Sequence, residues 1–170
     1  MAPARRTCLA PAGRTPVLPH RARHRDKVSA AAALCLSPVA GHARLYFETF
    51  AGGYVDNYAY AAFLRGLLGR VRGPLVLIPD NAPAHRGEWT DDLLDDYPWL
   101  ADFTFPLPPY APDRNPVDHL WAHAKGHGGL AHFAADDVRD LDGRVDRYLR
   151  RTAADQRLLG GFFRAADLPW

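Results

Sequence analysis

The sequence is poor in cysteine and in lysine. It contains two cysteines, Cys8 and Cys35, and two lysines, Lys27 and Lys125. Two isolated cysteines form neither the disulfide framework of a small secreted domain nor the paired spacing of a zinc site. A disulfide-stabilised scaffold is therefore excluded, and we expect neither cysteine to have a chemical role.

A long hydrophobic run is also missing. The longest apolar stretch, residues 30–36, is too short to cross a bilayer. The arginine-rich beginning of the chain has no apolar segment behind it of the kind that precedes a signal-peptide cleavage site. We therefore expect a cytoplasmic protein with no membrane partner. The chain has 170 residues, of which 48% are apolar, and this predicts a single globular unit.

Positive charge is concentrated in the first residues. Residues 1–27 contain six arginines, one lysine and one aspartate, a surplus of six positive charges, whereas the whole chain carries only +2. Such a segment is typical of proteins that bind the phosphate backbone of nucleic acid. A basic tail that only keeps the protein soluble is equally compatible with this composition. The candidate DNA-contacting arginines are Arg14, Arg21, Arg23 and Arg25.

A short apolar stretch ends at an aspartate near the middle of the chain. Residues 75–78 are four large apolar residues that follow Gly73 and Pro74 and precede Asp80 and Asn81 after one proline. This pattern predicts a central strand buried on both faces. Asp80 would lie at its carboxyl end, where open α/β sheets place ligands and catalytic groups, and could bind a metal ion. The alternative is that Asp80 and Asn81 only form an Asx turn.

A second acidic residue, Asp118, follows a proline-rich segment. Residues 108–112 are Pro-Pro-Tyr-Ala-Pro, and Asn115 and Pro116 then mark the start of a helix that carries Asp118. An acid three residues after an asparagine cap is also what a capping box and the helix dipole favour. The residues alone therefore leave a purely structural role for Asp118 open.

Together these two segments resemble the catalytic core of the DDE transposases of the Tc/mariner superfamily, in particular its bacterial insertion-sequence branch. Residues 80–85 match the family pattern Asp-Asn-Ala-x-x-His. Residues 108–118 match the pattern Pro-Pro-Tyr-Ser-Pro-x-x-Asn-Pro-x-(Glu or Asp), with Ala111 in place of serine. The two acids are separated by 37 residues. The scarcity of lysine relative to arginine suggests a GC-rich bacterial gene, and the resemblance implies a protein associated with the bacterial nucleoid.

The resemblance implies a fold and a chemistry. The fold would be α/β, a ribonuclease-H-like mixed sheet flanked by helices. The reaction would be DNA transposition, in which a phosphodiester is hydrolysed and a free 3′-hydroxyl then attacks another. Asp80 and Asp118 would be catalytic and would bind Mg²⁺ or Mn²⁺. Asn81 and His85 would hold the loop or contact a DNA phosphate.

The sequence also departs from the family pattern. Asp118 stands where many members have glutamate, as it does in the mariner branch. Residues 6–18 are similar to the hairpin linker that follows the family's first strand and first catalytic aspartate. We therefore expect an amino-terminally truncated domain that is inactive alone, or that is completed by a complementary fragment or a second copy. The alternative is a non-catalytic remnant that binds nucleic acid or interferes with a full-length transposase.

The predicted organisation has three parts: a basic arm and hairpin linker over residues 1–27, a partial catalytic domain over 28–127, and helices covering the sheet over 128–170. Within it, strands are expected over residues 27–36, 43–50 and 103–107. Helices are expected from Asp56 to about Arg70, from residue 88 to about 97, and over 136–151 and 155–166.

Three histidines, His119, His123 and His127, recur at steps of four along the helix that carries Asp118. A zinc site is one interpretation, but no cysteine is near and glycines surround the last histidine. We prefer an exposed, partly protonated face that contacts DNA phosphate. Trp121 has the spacing of a core residue.

Overall fold

The structure is a computed structural model that describes residues 11–14, 27–126, 130 and 135–170. Strands β1 (Val28–Ser37) and β2 (His42–Ala51) form an antiparallel hairpin. Within the described residues six helices follow: α1 (Asn57–Leu68), α2 (Glu88–Asp96), α3 (Pro98–Asp102), α4 (Pro116–Gly126), α5 (Val138–Ala154) and α6 (Gln156–Ala165). The described part is therefore mixed α/β, as predicted, and both predicted strands of the hairpin are confirmed.

The hairpin forms the middle layer of the fold. One of its faces, which includes Val28 and Leu45, packs against apolar residues of α4, α5 and α6. The other face, with Ala33 and Tyr46, packs against a cluster centred on Leu64 in α1, to which α2 and α3 also contribute. Because successive side chains of a strand point to opposite faces, the apolar residues on both sides of the hairpin require helices on both sides.

Two further extended segments, residues 75–79 and 103–107, pair with each other outside the hairpin. The Leu77 N–H donates to the Phe103 carbonyl, and the Leu77 carbonyl accepts from the Phe105 N–H, each at 2.9 Å. Leu77 is therefore paired in parallel with Thr104. The short strand predicted over residues 103–107 is reduced to this limited pairing, because Pro79 has no N–H to donate to the Phe105 carbonyl, where the pairing would continue.

The segment that leads to Asp80 is less buried than the sequence predicts. Leu75 and Leu77 pack against the α1 cluster, but Val76 and Ile78 are 54% and 57% exposed. The prediction of a central strand buried on both faces is therefore wrong. Among the residues that the structure describes, a helical layer covers only the face that presents Leu75 and Leu77, and alternation directs Val76 and Ile78 to the other face.

Local capping sets the starts of the two helices that border the candidate site. The Asp56 side chain accepts a hydrogen bond from the Ala59 N–H at 2.8 Å, which starts α1 as predicted. The Asn115 Oδ1 accepts from the Val117 N–H at 3.0 Å and starts α4. Trp121 is partly buried against the core, so its predicted role is confirmed. None of the helices in the described ranges is long and apolar enough to cross a membrane.

The predicted hairpin linker falls mostly on residues outside the described ranges. Its described portion is a turn at residues 11–14, in which the Arg14 N–H donates to the Pro11 carbonyl at 3.0 Å. The division of the chain into three parts stays a prediction. The two predicted carboxyl-terminal helices are present as α5 and α6, and both contact β2.

Candidate active site

Two hydrogen bonds join the segment that contains Asp80 to the segment that precedes Asp118. The Leu107 N–H donates to the Pro79 carbonyl at 2.9 Å, and the Asn81 Nδ2 donates to the Leu107 carbonyl at 2.6 Å. Parallel extended segments end at the same edge, so the turn after Pro79 and the proline-rich loop after Leu107 begin side by side. The two sequence segments, distant in the chain, therefore meet in space.

The turn that follows Asp80 stabilises the ionised form of its carboxyl. Its Oδ1 lies 2.8 Å from the His85 Nδ1 and accepts from the Ala82 N–H at 2.9 Å. The hydrogen bond from His85 lowers the pKa of the Asp80 carboxyl, and the Ala82 N–H acts in the same direction against the cost of partial burial. The Asx turn that the sequence offered as an alternative is thus present, and it uses one of the two carboxylate oxygens, Oδ1.

His85 is itself positioned by a helix from another part of the chain. It ends a short 3-10 turn, Pro83–His85, and its ring stacks on Tyr60 of α1 with the ring centroids 4.0 Å apart. Burial, followed by the charge of Asp80, raises the pKa of the Tyr60 hydroxyl. Sequence reasoning identified Tyr60 only as an apolar position of α1, because helical spacing cannot show which ring a core residue contacts.

The Asn81 side chain makes two hydrogen bonds within the protein. Its amide donates to Leu107 and its Oδ1 accepts from the Arg86 guanidinium. The sequence offered two roles for Asn81 and His85, holding the loop or contacting a phosphate. Both side chains hydrogen-bond to residues of the loop or next to it, as expected if they hold the loop. A DNA contact by either residue stays a prediction.

Asn57 is a residue of the site's support that the sequence did not reveal. Its Nδ2 donates to the Ala84 carbonyl at 3.1 Å and to the Thr90 Oγ1 at 2.7 Å, and its Oδ1 accepts from the Trp89 N–H at 2.9 Å. Gly87 lies against it with φ +137°, and a Cβ at that position would be 3.1 Å from the Asn57 Oδ1. One side chain thus ties α1 to the turn after Asp80 and to α2.

Asp118 lies in the first turn of α4 and has a different environment. Burial raises the pKa of its carboxyl, and the negative charge of Asp80 raises it further. The Asn115 side chain, His119 and Lys125 act in the opposite direction. The two acids are therefore close enough to interact electrostatically. A capping box is not formed, because the Asn115 N–H donates to the Pro112 carbonyl at 3.0 Å.

This pair of acids lies in a chain that a family model recognises. The model described as DDE superfamily endonuclease matches residues 1–141. The chain belongs to this family. The expected relationship to the DDE enzymes is therefore confirmed, and family membership implies that the protein acts on DNA.

A search among solved structures finds a similarity to "Crystal structure of the catalytic domain of Mos1 mariner transposase". The match has 18% sequence identity and a TM-score of 0.49, and it covers 82% of this chain and 80% of that chain. A search among curated proteins finds no match.

The histidines of α4 in this DDE endonuclease domain do not form the face that their spacing suggested. The His119 Nε2 lies 3.1 Å from the Asp113 carbonyl, whereas the His123 Nδ1 lies 2.9 Å from the Tyr148 Oη between α4 and α5. His127 lies outside the described residues. Over the ranges that the structure describes, no three His, Cys, Asp or Glu side chains form a metal-binding group. A zinc site that includes His127 is therefore not tested, whereas His123, partly buried between α4 and α5, does not fit an exposed histidine face.

The arginines predicted to contact DNA are mostly outside the described part of the DDE domain. Arg14 is exposed in the turn at residues 11–14, whereas Arg21, Arg23 and Arg25 lie outside the described residues. The basic arm therefore stays a prediction.

Proposed function

We propose that this chain is the catalytic domain of a Tc/mariner-type DDE transposase, which cuts DNA phosphodiesters and joins the freed 3′-hydroxyl to a new site. The observation that carries the proposal is the convergence of Asp80 and Asp118. Each acid follows a sequence pattern of the family, and the charge of Asp80 acts on the pKa of Asp118. The hydrogen bonds from Leu107 to Pro79 and from Asn81 to Leu107 bring the two patterns to the same edge of the fold.

Asp80 and Asp118 suit Mg²⁺ or Mn²⁺, which prefer carboxylate oxygens. The fit rests on charge, because a divalent cation between the two side chains would relieve their repulsion and favour the ionised form of Asp118. When bound, such ions activate the attacking oxygen and neutralise the leaving one in a displacement at phosphorus. The chain's own contribution is to keep Asp80 charged through His85 and Ala82, and to fix the start of α4 through Asn115.

A third carboxylate is needed to complete the proposed site, and in the described residues no group of three His, Cys, Asp or Glu side chains could hold a metal ion. We infer that it is carried by a strand that pairs with the free edge of residues 75–79. Val76 and Ile78 make no backbone hydrogen bonds within the described ranges. Leu75 of this segment and Ala33 of β1 pack on the same α1 cluster, so a strand between the two would continue one sheet.

This inference makes the 170-residue chain inactive by itself. The missing acid would come from a complementary transposase fragment or from a second copy. A second candidate function follows from the same observation. With two acids in place of three, the domain would be a non-catalytic remnant that binds DNA or interferes with a complete transposase.

A plasmid-nicking assay separates the two functions. The purified chain is incubated with supercoiled plasmid in Mg²⁺ or Mn²⁺, alone and after addition of a short aspartate-containing strand, fused to the chain or as a separate peptide. We expect no nicking by the chain alone and metal-dependent nicking by the completed form. Asp80→Ala in the completed form is the control and should abolish it.

Two results would count against the proposal. Failure of every completed form to nick DNA would favour the non-catalytic remnant. Nicking by the chain alone that disappears in Asp80→Ala would show that the third ligand is already present. Glu48 and Asp56 would then be the first residues to test.

A further inference from the structure

Tyr110 has a backbone conformation that its own side chain disfavours. Its φ is +58°, in the left-handed region, where a bulky L-residue is strained. In the described part of the chain, Asp167 (φ +57°) is the one other non-glycine residue with positive φ. Asp167 follows α6, where the Leu168 N–H donates back to the Phe163 carbonyl at 3.0 Å, a usual way to end a helix. Tyr110 ends no helix.

The strain at Tyr110 is not compensated by packing. Its side chain is fully exposed, with 102% of the reference surface area. An aromatic ring in this state gains nothing from the described residues around it. A strained and fully exposed tyrosine therefore lacks a role in stability, and observed backbone strain of this kind is concentrated at functional sites.

The loop around Tyr110 is rigid and anchored at both ends. Three prolines, Pro108, Pro109 and Pro112, restrict its backbone. At one end the Leu107 carbonyl accepts from Asn81, and at the other the Asn115 Oδ1 accepts from the Val117 N–H of α4 at 3.0 Å. The ring is thus presented on a fixed support, which lowers the entropy lost when a ligand binds.

The loop also places Tyr110 beside the acid pair. Tyr110 follows Leu107 by three residues, which limits the distance between their Cα atoms to about 11 Å. Leu107 is hydrogen-bonded to Asn81, the residue next to Asp80. Because one strand rises by about 3.4 Å per nucleotide, a DNA strand with a phosphate at Asp80 would run within a few nucleotides of this loop.

We propose that Tyr110 contacts the DNA substrate by stacking on an unpaired nucleobase next to the phosphate at Asp80 and Asp118. The proposal rests on the proposed function for the location of that phosphate. Stacking suits the observations because an aromatic face binds any base without hydrogen-bond readout, and a neutral ring makes no demand on the surrounding charges. The strained backbone turns the ring away from the protein, where a base can reach it.

The test measures stability and DNA binding on the same variants of the whole chain. Tyr110→Asn removes the ring and introduces a residue that tolerates positive φ, whereas Tyr110→Phe keeps the ring and removes only the hydroxyl. Binding is measured by fluorescence anisotropy with a labelled single-stranded oligonucleotide and with the matched duplex, over a series of salt concentrations and without divalent metal.

We expect Tyr110→Asn to melt at or above the wild-type temperature and to bind the single strand about tenfold more weakly, with an unchanged salt dependence. Duplex binding should change little, and Tyr110→Phe should match wild type in every measurement. The proposal is overturned if Tyr110→Asn binds the single strand like wild type or melts lower. Equal loss with the duplex, or no measurable binding by wild type, also overturns it.

Because the assay involves no cleavage, its result is independent of the nicking test. A chain that fails to nick DNA in any completed form can still lose single-strand binding in Tyr110→Asn, and an active enzyme can still show no effect of this substitution.

Discussion

Asp80 and Asp118, the two acids of the candidate site, lie in opposite electrostatic environments. Asp80 has a hydrogen-bonding partner in His85 and a backbone donor in Ala82, and the pKa of its carboxyl is lowered. Asp118 is partly buried, faces the charge of Asp80, and has a raised pKa. The first acid lies between an extended segment and the tight turn that follows it, whereas the second lies in the first turn of a helix.

The two carboxyls of the proposed metal site therefore differ in how readily they ionise before a metal ion binds. The protein itself supplies hydrogen-bond donors to Asp80, and these favour the ionised form of its carboxyl. It does not supply enough for Asp118, whose ionisation costs free energy until another positive charge is present. In the proposed function the divalent cation provides that charge, and binding of the cation is therefore coupled to ionisation of Asp118.

The largest expected effect tests whether both acids serve the same reaction despite this difference. In the completed nicking-competent form, Asp80→Asn and Asp118→Asn should each lower the nicking rate by on the order of a thousandfold or more, because each removes a charged metal ligand. Asp102→Asn, which changes an exposed carboxylate at the end of α3, is the matched control. Substantial activity in either variant would show that the corresponding acid is not a ligand.

A second prediction concerns where the DNA is attracted, since a pair of carboxylates without metal repels phosphate. Removing residues 1–25 should weaken duplex binding and reduce the slope of log affinity against log salt by about 0.9 for each phosphate that the arm neutralises. Replacing Arg21, Arg23 and Arg25 by glutamine should give part of this effect, whereas lysine at the same positions should preserve binding. Unchanged binding after truncation would mean that the arm is only a soluble tail.

A third prediction concerns the contacts that His85 makes with Asp80 and Tyr60. His85→Ala removes the partner of Asp80 and the ring that stacks on Tyr60. The free energy of unfolding should fall by about 1–2 kcal/mol, or roughly 3–6 °C in melting temperature for a domain of this size. His119→Ala is the control, because that ring contacts one backbone carbonyl and should change the melting temperature less. Equal effects would show that the His85 contacts add no particular stability.

The smallest expected effect lies on the Asp118 side and has the opposite sign. In metal-free buffer at neutral pH, Asp118→Asn should raise the melting temperature by about 1–3 °C, because it removes a partly buried charge that Asp80 repels. Asp80→Asn should lower it, because the carboxylate bound to His85 is lost.

The pH dependence of this last effect follows from the direction of the shift. A carboxyl whose pKa is raised on folding destabilises the folded state when it is ionised, and the penalty disappears as the pH falls through the raised pKa. The advantage of Asp118→Asn over wild type should therefore be full at neutral pH and vanish in acid. An advantage that persists well below pH 3.8, the ordinary value for this carboxyl, would contradict the assignment.

The elements bordering the site were largely predictable because short-range chemistry determines them. Asp56 and Asn115 cap their helices through contacts with residues two or three positions away. The hairpin strands and the two carboxyl-terminal helices follow from apolar periodicity. By contrast, the same periodicity predicted burial on both faces for residues 75–78, which is wrong for Val76 and Ile78. Burial depends on what covers a segment, and local sequence does not contain that information.

By itself the sequence determined the two acids of the candidate site, the order of the patterns around them and the family to which the chain belongs. The tertiary structure alone decided which residues surround these acids and in which direction their pKa values shift. It brought His85 to Asp80, Tyr60 to His85 and Asn81 to Leu107. It also left Tyr110 strained and exposed. Electrostatic interaction, stacking and desolvation depend on distance and burial, and these exist only once segments far apart in the chain have packed together.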